Sequence, residues 1–156
     1  MELNLYKICK PSLGDVAIMR SLILPEVQSG IILDRSEDEM ASAIRSYTIM
    51  KDSSDIIAFS ALHIHSIKLG EVRSLIVKES HRRKGIATML IEYLLEEASN
   101  LGLKRILTLT YKREVFEKIG FVEIAKEAIP DHKIWADCIK CTRFPICDEI
   151  ALIKDL

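Results

Sequence analysis

One mid-chain junction constrains the fold more than anything else in the sequence: a nearly continuous apolar run meets a basic turn and then a long amphipathic stretch. Glu71–Lys78 carries Val72, Leu75, Ile76 and Val77, the pattern of a strand buried on both faces and lying mid-sheet. Ser80-His81-Arg82-Arg83-Lys84-Gly85-Ile86-Ala87 follows it directly. From about Gly85 to Asn100, Ile86, Leu90, Leu94, Ala98 and Leu101 form one stripe with Glu92, Glu96 and Glu97 opposite. That is a helix, and Gly102 stops it.

The remaining segments place this unit in a larger sheet. Leu3–Cys9 alternates as a strand ending before Pro11, and Ser12 caps a helix carrying Val16, Met19, Ile23 and Val27 that Pro25 is expected to end or kink. Ser36-Glu37-Asp38-Glu39 has capping-box spacing for a second, short helix. Tyr47–Met50 and Ile56–His65 read as a hairpin around 51–55, and Lys68-Leu69-Gly70 as a further turn. After the long helix come a strand at Ile106–Leu109, a helix at Arg113–Lys118 closed by Gly120, a strand at Phe121–Ala125 and a last strand at Ile150–Ile153. The order predicts a single α/β domain over residues 1–156, a mixed central β-sheet flanked by helices.

Composition removes several functions. Lys and Arg number 22 against 23 Asp and Glu, so there is no basic field for nucleic acid. No apolar run nears the roughly 20 residues that cross a bilayer, and Met1-Glu2-Leu3-Asn4 lacks the pattern of a signal peptide, so a cytoplasmic protein without membrane contact is expected.

At the junction, Gly85 and Ala87 let the backbone approach a bound group. The helix start points N–H groups outward, and Arg82, Arg83 and Lys84 add charge. A solvated basic loop is the plain alternative. Placement between strand and helix favours an anion site.

Arg82-x-x-Gly85-x-Ala87 after an aliphatic strand resembles the Gln/Arg-x-x-Gly-x-Gly/Ala motif of the GNAT N-acetyltransferase superfamily, and Phe116-Glu117-Lys118-Ile119-Gly120-Phe121 resembles its terminal helix and Gly-Phe pair. Within it, Ser29–Ser36, Ala61-Leu62-His63, Gly70–Leu75 and Leu107–Thr110 resemble the acetyltransferase domain of the bacterial N-acetylglutamate synthases, in a short form without the amino-acid-kinase domain. The resemblance implies a GNAT fold, acetyl-CoA as co-substrate, and direct acetyl transfer to a small-molecule amine, glutamate first, as in arginine synthesis. It implies main-chain contacts from Leu75, Ile76 and Val77 to the pantetheine arm, a pyrophosphate cradle from Arg82, Arg83, Lys84, Gly85, Ile86, Ala87 and Thr88, and Phe116 packed near the cofactor. It also implies a homodimer, which the superfamily commonly forms. Other acceptors, such as another amino acid, a polyamine or a protein N-terminus, stay open, as does a non-catalytic acetyl-CoA sensor.

Acetyl transfer needs an amine free of its proton, an oxyanion partner and a proton for the leaving thiolate. The resemblance puts a catalytic glutamate at Glu71, which otherwise reads as a solvated strand-end residue. Phe116 stands where many relatives carry a tyrosine acid, so Tyr111 is the substitute donor, with a half-buried structural tyrosine as the alternative. A diacid acceptor calls for two cationic partners. Arg35, in the segment resembling the synthase substrate loop, is one, and Arg143 is nominated by location for the other. Cys138-x-x-Cys141 with Cys147 and His132 has the residue types of a zinc site but no second close pair. Cysteines buried around Trp135 and Phe144 are favoured over zinc and over a redox pair, so no metal is assigned. His63 and His65 share one strand face; satisfied strand histidines are favoured over a metal site there.

Overall fold

The computed structural model describes residues 6–30, 34–125, 128 and 149–156. The strands are β1 (Tyr6–Cys9), β2 (Tyr47–Asp52), β3 (Asp55–Ile64), β4 (Leu69–Val77), β5 (Arg105–Thr110), β6 (Val122–Ile124) and β7 (Ile150–Asp155). The helices are α1 (Val16–Gln28), α2 (Glu37–Ser42), α3 (Ile86–Leu101) and α4 (Arg113–Glu117). Among the described residues the strands form one seven-stranded sheet in the order β1-β2-β3-β4-β5-β7-β6, so the apolar strand of the junction is its middle member. β4 and β5 run parallel, joined by the α3 crossover, and every other neighbouring pair is antiparallel.

Helices cover both faces. Ile91, Leu94 and Ala98 of α3 bury against Leu62, Val72, Ile106 and Leu152, together with Phe116 of α4, while Ile86 and Leu90 bury against Met50, Ile57 and Ala58. Val16, Met19 and Ile23 of α1 and Met40 of α2 bury against Tyr47, Ile49, Phe59 and Ala61 on the other side. Adjacent β3 residues Ala61 and Leu62 thus face opposite layers, as the period of a strand requires. Among the described residues, no helix is long and apolar enough to cross a membrane.

Local expectations are corrected at four places. Ser12 caps a 3-10 turn, Leu13–Asp15, rather than α1 itself, whose N-cap is Asp15. The helix does not end at Pro25 but runs on to Gln28. A proline removes only its own N–H, and its carbonyl still closes the last turn by accepting from Ser29 N at 3.1 Å. The β2–β3 turn shrinks to Ser53-Ser54, with Asp52 opposite Asp55 and Ser53 at φ 56°. Leu69 and Gly70 belong to β4, not to a turn. Gly70 is needed there because an added Cβ would lie 2.8 Å from Leu103 Cδ1 and 3.1 Å from Ile106 Cδ1.

Candidate active site

The centre of the sheet is split. β4 and β5 pair only through Leu69↔Arg105, Gly70↔Ile106 and Glu71↔Leu107 and then diverge, leaving the β4 edge from Val72 onward without a strand partner on that side. Thr108 Oγ1 donates to Val72 O across the start of the gap at 2.8 Å. On its other edge β4 carries a bulge: Phe59 pairs with Ile76 and Ala61 with Arg73, so Ser74 and Leu75 together oppose Ser60. Ser74 takes a positive φ of 57°, and Ser60 Oγ–H fills the irregularity by donating to Arg73 O at 2.9 Å.

A cavity of about 60 Å³ occupies the split, lined by Arg73, Ser74 and Leu75 of β4, Tyr111 at the mouth of α4, and Phe116. It brings together three of the residues expected from sequence: Leu75, Tyr111 and Phe116. Phe116 is buried and stacks edge-on with Phe121 at 5.2 Å, so it serves the core as well as the cavity wall. Ile76 and Val77 continue β4 beyond the bulge, with Ile76 buried against the α1 layer.

Glu71, at the last paired position before the split, is 1% exposed, which removes the solvated strand-end reading. Its Oε1 lies 2.8 Å from His65 Nε2, with the His65 side chain 2% exposed. The His65 and His63 rings meet edge-on at 4.6 Å, and His63 Nδ1 accepts from the Arg73 guanidinium at 3.1 Å. A guanidinium only donates, so that nitrogen carries no proton and the neutral His63 ring holds its hydrogen on Nε2. His63 on β3 and His65, just past its end, are therefore satisfied by a guanidinium and a carboxylate, and among the described residues no group of metal-ligating side chains forms.

A second cavity of about 190 Å³ adjoins the first and is lined by Arg35, Glu39, Ser42, Ala43, Ser46, Tyr47, Ala61 and Arg73. Arg35 is held at its rim by α1, where Arg20 Nε–H donates to Arg35 O at 3.0 Å. The capping box of α2 fixes the next residue: Ser36 Oγ accepts from Glu39 N at 3.1 Å and Glu39 Oε1 from Ser36 N at 3.2 Å. Burial pushes the Tyr47 phenol above its ordinary pKa. The nearby charges of Arg35 and Arg73 and a hydrogen bond with Ser74 oppose that rise, and Glu39 adds to it. Sequence reasoning missed Arg73 and Tyr47. The available signal was a charged residue inside an otherwise aliphatic strand.

Beyond β4 the chain turns through Glu79–His81 into α3. Arg83 and Gly85 both take positive φ, 64° and 76°. Gly85 is the N-cap of α3 and no side chain caps it. The first intrahelical bond is Met89 N to Gly85 O, 3.1 Å, which leaves the N–H groups of Ile86, Ala87 and Thr88 without an intrahelical acceptor. A Cβ on Gly85 would meet nothing within 4 Å, so the space beside this glycine at the helix start is open. Arg83 and Lys84 are exposed beside it. Arg82 instead folds back, its Nε–H donating to Val77 O at 3.1 Å, with Glu26 at 3.5 Å.

Arg143, His132 and the Cys138, Cys141 and Cys147 cluster lie outside the described residues.

The family model described as the acetyltransferase (GNAT) family matches residues 18–121. An uncharacterized N-acetyltransferase of Chlorobaculum tepidum is 34% identical over 144 residues, 92% of each chain. The amino-acid acetyltransferase of Salmonella typhimurium is 27% identical over 129 residues, which is 81% of this chain and 29% of that protein. Among solved structures, Rv2747 from Mycobacterium tuberculosis, in complex with CoA and NLQ, superimposes with a TM-score of 0.84 at 21% identity, covering 96% of this chain and 99% of that one. N-acetylglutamate synthase from Neisseria gonorrhoeae, complexed with coenzyme A and N-acetyl-glutamate, gives a TM-score of 0.84 at 22% identity, covering 97% of this chain and 35% of the synthase. At these identities the structural likeness is one of fold.

Proposed function

The chain belongs to the acetyltransferase (GNAT) family, and from that membership we propose that it moves the acetyl group of acetyl-CoA directly to the amino group of an amino acid, glutamate before others, as in arginine synthesis. The observation that carries the choice of acceptor is the 190 Å³ cavity next to the split sheet, where Arg35 and Arg73 supply cationic charge for an acidic amino acid. The amino-acid acetyltransferases among its relatives support the same reading.

Each chemical requirement has a residue. An ammonium must lose a proton before it can attack, and Glu71, at the foot of the split and backed by His65, takes it through water. Main-chain N–H groups at the bulge, at Leu75 or Ile76, steady the oxygen of the tetrahedral intermediate, and the unpaired β4 edge through Val77 holds the pantetheine arm. Tyr111 faces the same cavity as Leu75 and gives its phenol proton to the departing thiolate. The α3 N-terminus from Gly85 to Thr88 binds the pyrophosphate, with Arg83 and Lys84 beside it, while Arg82 braces the loop against Val77.

The test is thiol release from acetyl-CoA by the purified protein, with glutamate, glutamine, aspartate and no amine in parallel. Release that depends on glutamate supports the reading. Failure with every amino acid, despite acetyl-CoA binding, overturns it in favour of another amine or a sensor.

A further inference from the structure

Of the residues at the two cavities, Arg73 alone among the described residues lines both, so this one residue borders the acceptor cavity and the cavity in the split. Arg73 is half-buried on a central strand, opposite Ala61, an uncommon place for a guanidinium. Its backbone is locked by the bulge and by Ser60, and its side chain by His63, whose Nδ1 accepts from it at 3.1 Å. Arg35 lines only the acceptor cavity.

This arrangement orders the acceptor. The reacting nitrogen must reach the split, and in an α-amino acid the α-carboxylate sits on the same carbon as that nitrogen. The cation shared by the two cavities is therefore the one the α-carboxylate meets, and the distal carboxylate is left to Arg35, which lines the acceptor cavity alone. We propose that Arg73 is the specificity residue that binds the acceptor's α-carboxylate, and that Arg35 takes the distal one. The assignment rests on the reading of the chain as an amino-acid acetyltransferase. It gives the described residues both cations that a diacid requires, without Arg143. Glu39 is the one carboxylate among the described residues lining the acceptor cavity, so its two arginines leave a net positive charge for an acidic acceptor. His63 is a positioning residue for Arg73: it fixes where the guanidinium fork points.

Three acceptors separate the two arginines: glutamate with both carboxylates, glutamine without the distal one, and 4-aminobutyrate without the α-carboxylate. Arg73→Gln lowers kcat/KM for glutamate and glutamine in parallel, by about thirtyfold, and lowers it less for 4-aminobutyrate. Arg35→Gln does the reverse, reducing the glutamate-to-glutamine preference by a similar factor. Arg73→Lys keeps the charge but loses the fork, so its KM for glutamate rises while kcat changes little. His63→Gln, which can still accept from Arg73, restores most of what His63→Leu loses. Acetyl-CoA affinity by calorimetry reports that each variant is folded.

A loss in Arg73→Gln confined to glutamate, or an Arg35→Gln that penalises glutamine equally, overturns the assignment. If the wild type turns over no amino acid, calorimetric titration with glutamate still decides. Binding that Arg73→Gln abolishes upholds the carboxylate site while the reaction reading falls, and absence of binding overturns both.

Discussion

His65 Nε2 and Glu71 Oε1 lie 2.8 Å apart between side chains that are 2% and 1% exposed, a histidine–carboxylate contact sealed into the sheet beside its central gap. Such a carboxylate is tolerated only because a polar partner replaces water. Removing the partner by His65→Ala should cost about 3 kcal/mol of stability, read from urea denaturation, whereas His65→Gln, which can donate to the same oxygen, should cost less. Equal losses in both variants would show that the contact contributes nothing specific.

Glu71→Gln keeps the size and hydrogen-bonding capacity of the side chain and removes its basicity. Turnover should fall by about a hundredfold or more with acetyl-CoA affinity unchanged. Full activity in this variant would take the base away from β4.

Tyr111→Phe should lower kcat by about tenfold to a hundredfold with acetyl-CoA. A thioester whose thiol is more acidic needs less help in leaving, so the defect should shrink with it. A defect that is the same for both thioesters would mean that Tyr111 packs rather than donates.

Gly85 sits at φ 76° with open space where a Cβ would go. Gly85→Ala forces an L-residue into the left-handed region, at about 1 kcal/mol, and places a methyl group where a phosphate must come. KM for acetyl-CoA should rise. KM for acetyl-pantetheine, which has no pyrophosphate, should stay as it was, and a parallel rise in both would refute the anion site.

The Tyr47 phenol is held above its ordinary value of 10.0 by burial. With the folded-state pKa raised, the contribution is fully present below pH 10.0 and is lost as pH rises through the folded value. The protein should therefore lose stability on the alkaline side, and Tyr47→Phe should remove that component. Thermal melts across the alkaline range, with tyrosinate absorbance followed in parallel, check both.

The order of strands and helices was legible because each depends on local patterning: the apolar run of β4, the stripe of α3, the capping box at Ser36. The strand–loop–helix junction at Arg82 to Thr88 was legible for the same reason, since those residues are contiguous. Arg73 and His65 were not, because their roles arise from pairing across strands. Ala61 meets Arg73 only through the bulge at Ser74, and His65 reaches Glu71 only because the chain turns back at 65–68. Of the expectation that Pro25 ends or kinks the helix, the ending failed because the Pro25 carbonyl still accepts from Ser29 and the helix runs on to Gln28.

The parallel seam between β4 and β5 is three residue pairs long, riveted by Thr108 to Val72, and it does not set its own width. That is the work of α3, which lies across the seam and presses on Leu62 and Val72 on one bank and Ile106 and Leu152 on the other. The same helix thus bridges both banks of the seam, and its packing there bears on how β4 and β5 diverge towards the cavity that Tyr111 lines. Trimming Leu94 or Ile91 to alanine should therefore change turnover as well as stability, although both pack in the core on the helix side of the sheet.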